Sequence, residues 1–126
     1  MGQIRFTEEH EWIRLEGMEG VVGITDYAQQ QLGDIVFADL PGMGQCVEKG
    51  EEVAVLDSAK AAGEIYAPMT GIVVAVNEAL IQNPALVNTD PLGEGWIVRL
   101  RLTRASEEAG ALMDADTYAG YVSGLA

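Results

Sequence analysis

Two lysines occur in the chain, Lys49 and Lys60, and each falls in a turn between short apolar segments. Lys60 stands in Ser58-Ala59-Lys60-Ala61-Ala62-Gly63, a connection of small residues between a segment ending near Asp57 and another starting near Glu64. Such a connection reads as the tip of a β-hairpin. Its small side chains leave the Lys60 amine open to a modifying enzyme, while the flanking strands fix where the root of that side chain points. By default a turn lysine is only a solvated charge, so the surroundings of Lys60 must decide whether it does chemistry. The other reactive residue types give little. Cys46 and His10 are the only cysteine and histidine, which excludes an internal disulfide, a Cys/His zinc cluster and a dithiol redox motif. Cys46 sits in the turn-like Gly42-Met43-Gly44-Gln45-Cys46. His10 and Ser58 share no motif that would make a hydrolytic triad with an orienting group.

The elements that must position Lys60 are short. Glu11 to Leu15, Val21 to Thr25, Ile35 to Leu40, Glu52 to Asp57, Glu64 to Ala67, Ile72 to Val76 and Trp96 to Leu102 are apolar runs between glycine-rich breaks, the spacing of antiparallel β-structure. In the last run, Trp96, Val98, Leu100 and Leu102 alternate with Arg99 and Arg101, so one sheet face is expected to be buried. Helical signals are fewer. Asp26 to Leu32 reads as a short helix capped by Thr25 and ended by Gly33. In the tail, read as helical from about Ser106 onward, Ala105, Ala109 and Leu112 lie at helical spacing, Asp116 is a candidate cap for a further helix, and Tyr118, Tyr121 and Val122 can dock on the sheet. Lys49-Gly50-Glu51-Glu52-Val53-Ala54-Val55 and Thr70-Gly71-Ile72-Val73-Val74-Ala75-Val76 share a weak polar-glycine-strand pattern, as two pseudo-symmetric β halves would.

A chain of 126 residues fits a single domain with a real core. No apolar run approaches the roughly 20 residues of a bilayer-spanning helix. Met1-Gly2-Gln3-Ile4-Arg5-Phe6 is neither an export signal nor an acylation motif, since Phe6 stands where Ser or Thr is needed, so a cytoplasmic protein is expected. A net charge of −13 with only seven Lys and Arg argues against nucleic-acid binding. The same acidity favours solubility and can steer a protein toward basic clefts.

Downstream of Lys60, Glu64-Ile65-Tyr66-Ala67-Pro68 followed by Thr70-Gly71-Ile72-Val73 resembles the return strand of a lipoyl or biotinyl hairpin. Across nearly its whole length the chain is similar to the glycine cleavage H-protein family. The ordered blocks that carry the resemblance are His10-Glu11-Trp12, Gly23-Ile24-Thr25-Asp26-Tyr27-Ala28-Gln29, Leu32-Gly33-Asp34-Ile35-Val36, the Lys60 hairpin, and Val87-Asn88-Thr89-Asp90-Pro91 leading to Gly95-Trp96. The resemblance implies a mainly β, lipoyl-domain-like sandwich or barrel with the hairpin exposed and short flanking and C-terminal helices, spanning 1–126 as one H-protein domain. It implies lipoate in amide linkage on Lys60, with Ser58 and Glu64 in the flanking pattern read by lipoate-attachment enzymes, and Glu11 near the loaded aminomethyl group. Glu11 and Tyr27 are the candidates for the cleft in which the arm rests, although a solvated carboxylate beside Trp12 is an equal reading of Glu11. Tyr27 stands where many relatives carry histidine, Asp57 replaces a commoner Glu, and Ala59 replaces a frequent Val.

A lysine plus lipoyl chain reaches roughly 14 Å when extended, judging from bonds of about 1.5 Å, and tethering raises the effective concentration of its dithiolane at each partner site. The resemblance implies three such partners: a pyridoxal-phosphate glycine decarboxylase (P protein), an aminomethyltransferase (T protein) passing the one-carbon unit to tetrahydrofolate, and a dihydrolipoyl dehydrogenase (L protein). The chain itself would be a monomeric carrier with no catalytic residue or metal. The alternatives are a relay that donates lipoyl groups to other proteins, a lipoyl domain of a 2-oxoacid dehydrogenase, a biotin carrier, and an unmodified β protein. Ala59 and Ala61 speak against biotin, because methionines usually flank biotinyl-lysine.

Overall fold

A computed structural model describes residues 3–125. The reading of Met1 and Gly2 as carrying no export or acylation signal lies outside the described residues. The strands are β1 (Gln3–Phe6), β2 (Glu11–Glu16), β3 (Glu19–Ile24), β4 (Ile35–Asp39), β5 (Cys46–Val47), β6 (Glu52–Ser58), β7 (Ala62–Tyr66), β8 (Gly71–Val76) and β9 (Val98–Leu102). They form a six-stranded sheet in the order β1-β2-β3-β9-β8-β5 and a three-stranded sheet β4-β6-β7. Every pairing is antiparallel. The helices are α1 (Asp26–Leu32), α2 (Ala79–Gln82), α3 (Leu86–Thr89), α4 (Ala105–Glu108) and α5 (Ala115–Ser123). Among the described residues no helix is long and apolar enough to cross a membrane.

The mainly β sandwich follows from alternation. Ile13, Val22, Val98 and Leu100 of the large sheet and Ala38, Leu56 and Ile65 of the small one all point into a shared core. On β9, Val98, Leu100 and Leu102 are buried and Arg101 is exposed. Arg99 lies on the outer face, 3.1 Å from Glu16 and 3.0 Å from Glu19. Trp96 does not share the Val98 face as its spacing suggests. Strand β9 begins only at Val98, and Ile97 and Val98 both enter the main core. Ile97 is held there by its N–H to Val22 O (2.7 Å) and by its carbonyl, which accepts from Asn77 N–H (3.0 Å). Alternation is broken, and Trp96 packs instead with Phe6, Trp12, Val21 and Tyr118 in a second cluster.

Helix α1 matches its sequence signals: Thr25 Oγ1 accepts from Ala28 N–H, and Gly33 ends the helix at φ 85°. The C-terminal helix is capped differently from expectation. Asp114, not Asp116, is the N-cap, its carboxylate accepting the Thr117 N–H at 2.8 Å. Asp116 falls inside the first turn, where an acidic side chain still suits the positive end of the helix dipole. Cys46 lies in the two-residue strand β5 and is exposed and free.

Candidate functional site

Strands β6 and β7 form the expected hairpin, with Asp57 opposite Ala62 and Leu56 opposite Gly63. Ser58 builds its turn. The Ser58 backbone N–H donates to Ala61 O at 2.7 Å and its hydroxyl donates to the same oxygen at 3.1 Å, while Ser58 Oγ accepts from the N–H of Ala61 (3.0 Å) and of Lys60 (3.3 Å). A buried serine thus ties up the polar backbone of the tip, as a short side chain that bonds its own turn can. Lys60 stands exposed on that turn, and among the described residues it forms no ion pair. Glu64, also exposed, lies on the outer face of the sheet opposite Val55.

The base of the hairpin tip is the C-terminal end of α1. A side chain at Gly63 would collide with Leu32 Cδ2 at 2.8 Å, so the absence of a Cβ lets the return strand touch the helix. The aliphatic end of Lys60 passes over Gly33, where an added Cβ would meet Lys60 Cε at 3.1 Å. Asn88, in α3, fixes this corner. Its Nδ2 donates to Gln29 Oε1 and Gly33 O, and its Oδ1 accepts from Ile35 N–H, each at 2.9 Å. Trp12 in turn secures the loop beyond Asn88, with Nε1–H shared between Ile24 O (2.9 Å) and Pro91 O (3.0 Å). Blocks far apart in sequence thereby meet under one lysine. The role of Asn88 has no sequence signal of its own, because a four-residue helix such as α3 is too short to show periodicity.

Glu11 is not the solvated carboxylate that was its alternative reading; it is 2 % exposed. Its Oε1 accepts from Thr7 Oγ1 at 2.9 Å and its Oε2 from the Tyr66 N–H at 2.9 Å, which places it at the inner end of edge strand β7. It lines a cleft of about 390 Å³ together with Phe6, Lys49, Tyr66, Pro68 and Leu112. Burial, opposed by the Tyr66 and Thr7 hydrogen bonds and reinforced by Glu9, pushes the Glu11 pKa from its ordinary 4.5 up to about 7. Tyr66 lies six residues beyond Lys60, at most roughly 20 Å along an extended strand. An arm of about 14 Å laid back along β7 would therefore end within a side chain's length of this cleft.

The raised pKa has a consequence for folding. An acid that is protonated in the native state but ionised in the unfolded chain loses native stability as pH rises from its unfolded to its folded pKa. For Glu11 that window runs from 4.5 to about 7, and the full loss is on the order of 3 kcal/mol. His10, whose pKa burial lowers, works in the opposite direction nearby, so the difference between proteins is the clean observable. Urea unfolding of wild type and Glu11→Gln at pH 5 and pH 8 should show the variant gaining relative stability at pH 8. An unchanged difference between the two pH values would contradict the shift.

Tyr27 is placed outside the Glu11 cleft. It lies 4.5 Å from the His10 ring, centroid to centroid, and lines an apolar hollow of about 490 Å³ with Phe6, Tyr118 and Val122. Glu11 does not line that hollow, so the two candidates for a common cleft are not brought together. His10 adopts φ 70°, and its Nδ1 is 2.8 Å from the Tyr118 hydroxyl, which lies 2.7 Å from Thr25 Oγ1. The strained turn at His10 thus sends its ring to the helix α5 side and the next side chain, Glu11, inward.

The family model described as glycine cleavage H-protein matches residues 4–124. The chain is 53% identical over 125 residues to a glycine cleavage system H protein of Beijerinckia indica, covering 99% of this chain and 100% of the relative. It is 47% identical over 121 residues to a glycine cleavage system H protein of Bacteroides thetaiotaomicron, covering 96% of this chain and 95% of the relative. A crystal structure of a glycine cleavage system H protein from Mycobacterium marinum superposes with a TM-score of 0.86 at 36% identity, covering 98% of each chain.

Proposed function

This chain belongs to the glycine cleavage H-protein family, and from that premise we propose that Lys60 bears lipoate in amide linkage and is the root of its swinging arm. The protein is a lipoyl carrier of the glycine cleavage system, from a family of carriers. The observation that supports Lys60 is its place on the hairpin tip: exposed, rooted in a turn braced by Ser58, and lying over Gly33. Lys49 is exposed too, but it sits in the turn between β5 and β6 and borders the Glu11 cleft.

Held on Lys60, lipoate would supply a disulfide able to accept an aminomethyl unit reductively. The chain's own residues then bind, orient and shield. Ser58 and the α1 corner hold the arm's root in one direction, so less freedom is lost at each docking. The Phe6, Pro68 and Leu112 walls of the Glu11 cleft exclude water from a hydrolysable group. Glu11, with a pKa of about 7, can present a carboxylate to a cationic amine at neutral pH while Thr7 and Tyr66 hold it in place. Ser58 and Glu64 flank the lysine as recognition positions. Tyr27 belongs with the aromatic cluster around His10 and is left out of the arm's cleft. We take residues 1–126 to act as one domain and as a monomer. Its partners on this reading are the glycine decarboxylase, the aminomethyltransferase, the dihydrolipoyl dehydrogenase and the lipoate-attachment enzymes.

Exchange of bicarbonate with the glycine carboxyl group, catalysed by purified decarboxylase, tests the role. The lipoylated chain should raise the exchange rate well above that with the unmodified chain. Equal rates with the two forms would rule the role out.

A further inference from the structure

Two large apolar side chains stand exposed beside the Lys60 hairpin, Val36 at 59 % and Phe37 at 56 % exposure. They are outward because the pairing of β4 with β6 slips between Ile35 and Phe37. Ile35 enters the core opposite Ser58, whereas Phe37 lies opposite Asp57, which is in turn opposite Ala62, the first residue of β7 beyond the tip. In-register residues share a face, so Phe37, Asp57 and Ala62 form one row on the outer side of the small sheet. Adjacent strands are about 4.8 Å apart, which puts the Phe37 and Ala62 backbones roughly 10 Å from each other. The next row, Asp39, Val55 and Glu64, follows the same face. Asp34 is exposed at the start of β4. The patch is therefore an apolar centre with acidic residues around it, and Lys60 is the cation at its end.

What covers this patch follows from where each partner must reach. An enzyme working on the far end of a lipoyl arm meets it about 14 Å from the backbone. The enzyme that forms the amide must instead bring its active site to Lys60 Nζ itself, only about 6 Å from the backbone by the same bond lengths, so its surface has to lie against the residues next to the tip. Resting on the function proposed above, we infer that Phe37, with Val36 beside it, is the docking anchor for the enzyme that acylates Lys60. The complementary surface is an apolar pocket for the Phe37 ring with a cationic rim facing Asp34, Asp39, Asp57 and Glu64. In that complex Nζ attacks the acyl carbon of an activated lipoyl donor, the new C–N bond forms as the activating group leaves with its electron pair, and the amine's proton passes to a base or solvent. The neighbours of Lys49 in its own turn are Glu48, Gly50 and Glu51, so on this reading the anchor directs the enzyme to Lys60 and away from Lys49.

Lipoate ligase, ATP and lipoate acting on the purified unmodified chain provide the test, with intact mass and peptide mapping followed over time. Phe37→Ser should raise the KM for the chain about tenfold or more with kcat within about twofold, the pattern of lost docking contact. Phe37→Leu should recover most of the loss. Met18→Ser, which removes an even more exposed apolar side chain from the β2–β3 turn, should behave as wild type. Thermal melts of all variants exclude misfolding as the cause. A Phe37→Ser protein with wild-type KM, or one impaired only in kcat, overturns the anchor while leaving Lys60 as the attachment site. Wild-type protein that acquires no lipoate on Lys60 overturns the proposed function, and the anchor with it.

Discussion

Lys60→Arg is expected to reduce lipoylation, and with it glycine decarboxylation supported by this chain, to background. Arginine keeps a positive charge on the hairpin tip but its guanidinium is not acylated and stays protonated. The fold should tolerate the change, because an exposed substitution away from caps and buried networks costs within about 0.5 kcal/mol. The Ser58 bonds that shape the turn use backbone N–H and carbonyl groups that the variant retains. Lys49→Arg is the natural comparison and should leave both measurements at wild-type levels. A Lys60→Arg chain that still supports decarboxylation at the wild-type rate, with no other carrier present, would exclude a swinging arm at this position.

The second large effect is on stability. Trp12 is fully buried, and its indole N–H is shared between Ile24 O at 2.9 Å and Pro91 O at 3.0 Å. Trp12→Ala removes the largest side chain of the cluster built with Phe6, Val21 and Tyr118, and should cost about 3–5 kcal/mol. That is a large share of the roughly 5–15 kcal/mol that a domain commands, and for a chain of this size it lowers Tm by on the order of 10–20 °C. Trp12→Phe separates the contributions. It keeps an aromatic ring but leaves two carbonyls without their donor, for about 1–2 kcal/mol. Because Pro91 follows the Asn88 corner that holds Gly33, both variants should also slow lipoylation of Lys60 at temperatures where they remain folded. Urea and thermal unfolding measure the stability terms, and a Trp12→Ala cost below about 1 kcal/mol would contradict the packing described here.

How much of this was legible in the sequence varies with the range of the signal. The α1 helix was readable at both ends because Thr25 and Gly33 act on backbone groups within four residues of themselves. The hairpin around Lys60 was readable from small residues between alternating strands. Strands β1 and β5 are not legible, since four and two residues carry too little alternation to stand out. The sequence points to Asp116 as the cap where the structure uses Asp114, two residues earlier, because only the bond from the Thr117 N–H distinguishes them. Spacing puts Trp96 on the Val98 face, and the structure does not, because the break in pleating at Ile97 leaves no mark in the residue pattern. The candidate site split the same way. Lys60 and Ser58 are local features of one turn, whereas Glu11 is buried by a bond to Tyr66, fifty-five residues away. Resemblance groups Tyr27 with Glu11, but Tyr27 is carried by α1 and Glu11 by β2, and the two line different hollows.

The central claim is that one lysine of two carries the arm. Peptide mapping by mass spectrometry, after incubation of the wild-type chain with lipoate, ATP and a lipoate ligase, tests it most directly. The expected result is a lipoyl amide on Lys60, with Lys49 unmodified and the modification lost in Lys60→Arg. Lipoate found on Lys49, or a chain that remains unmodified under conditions where a known acceptor is fully lipoylated, would contradict the account.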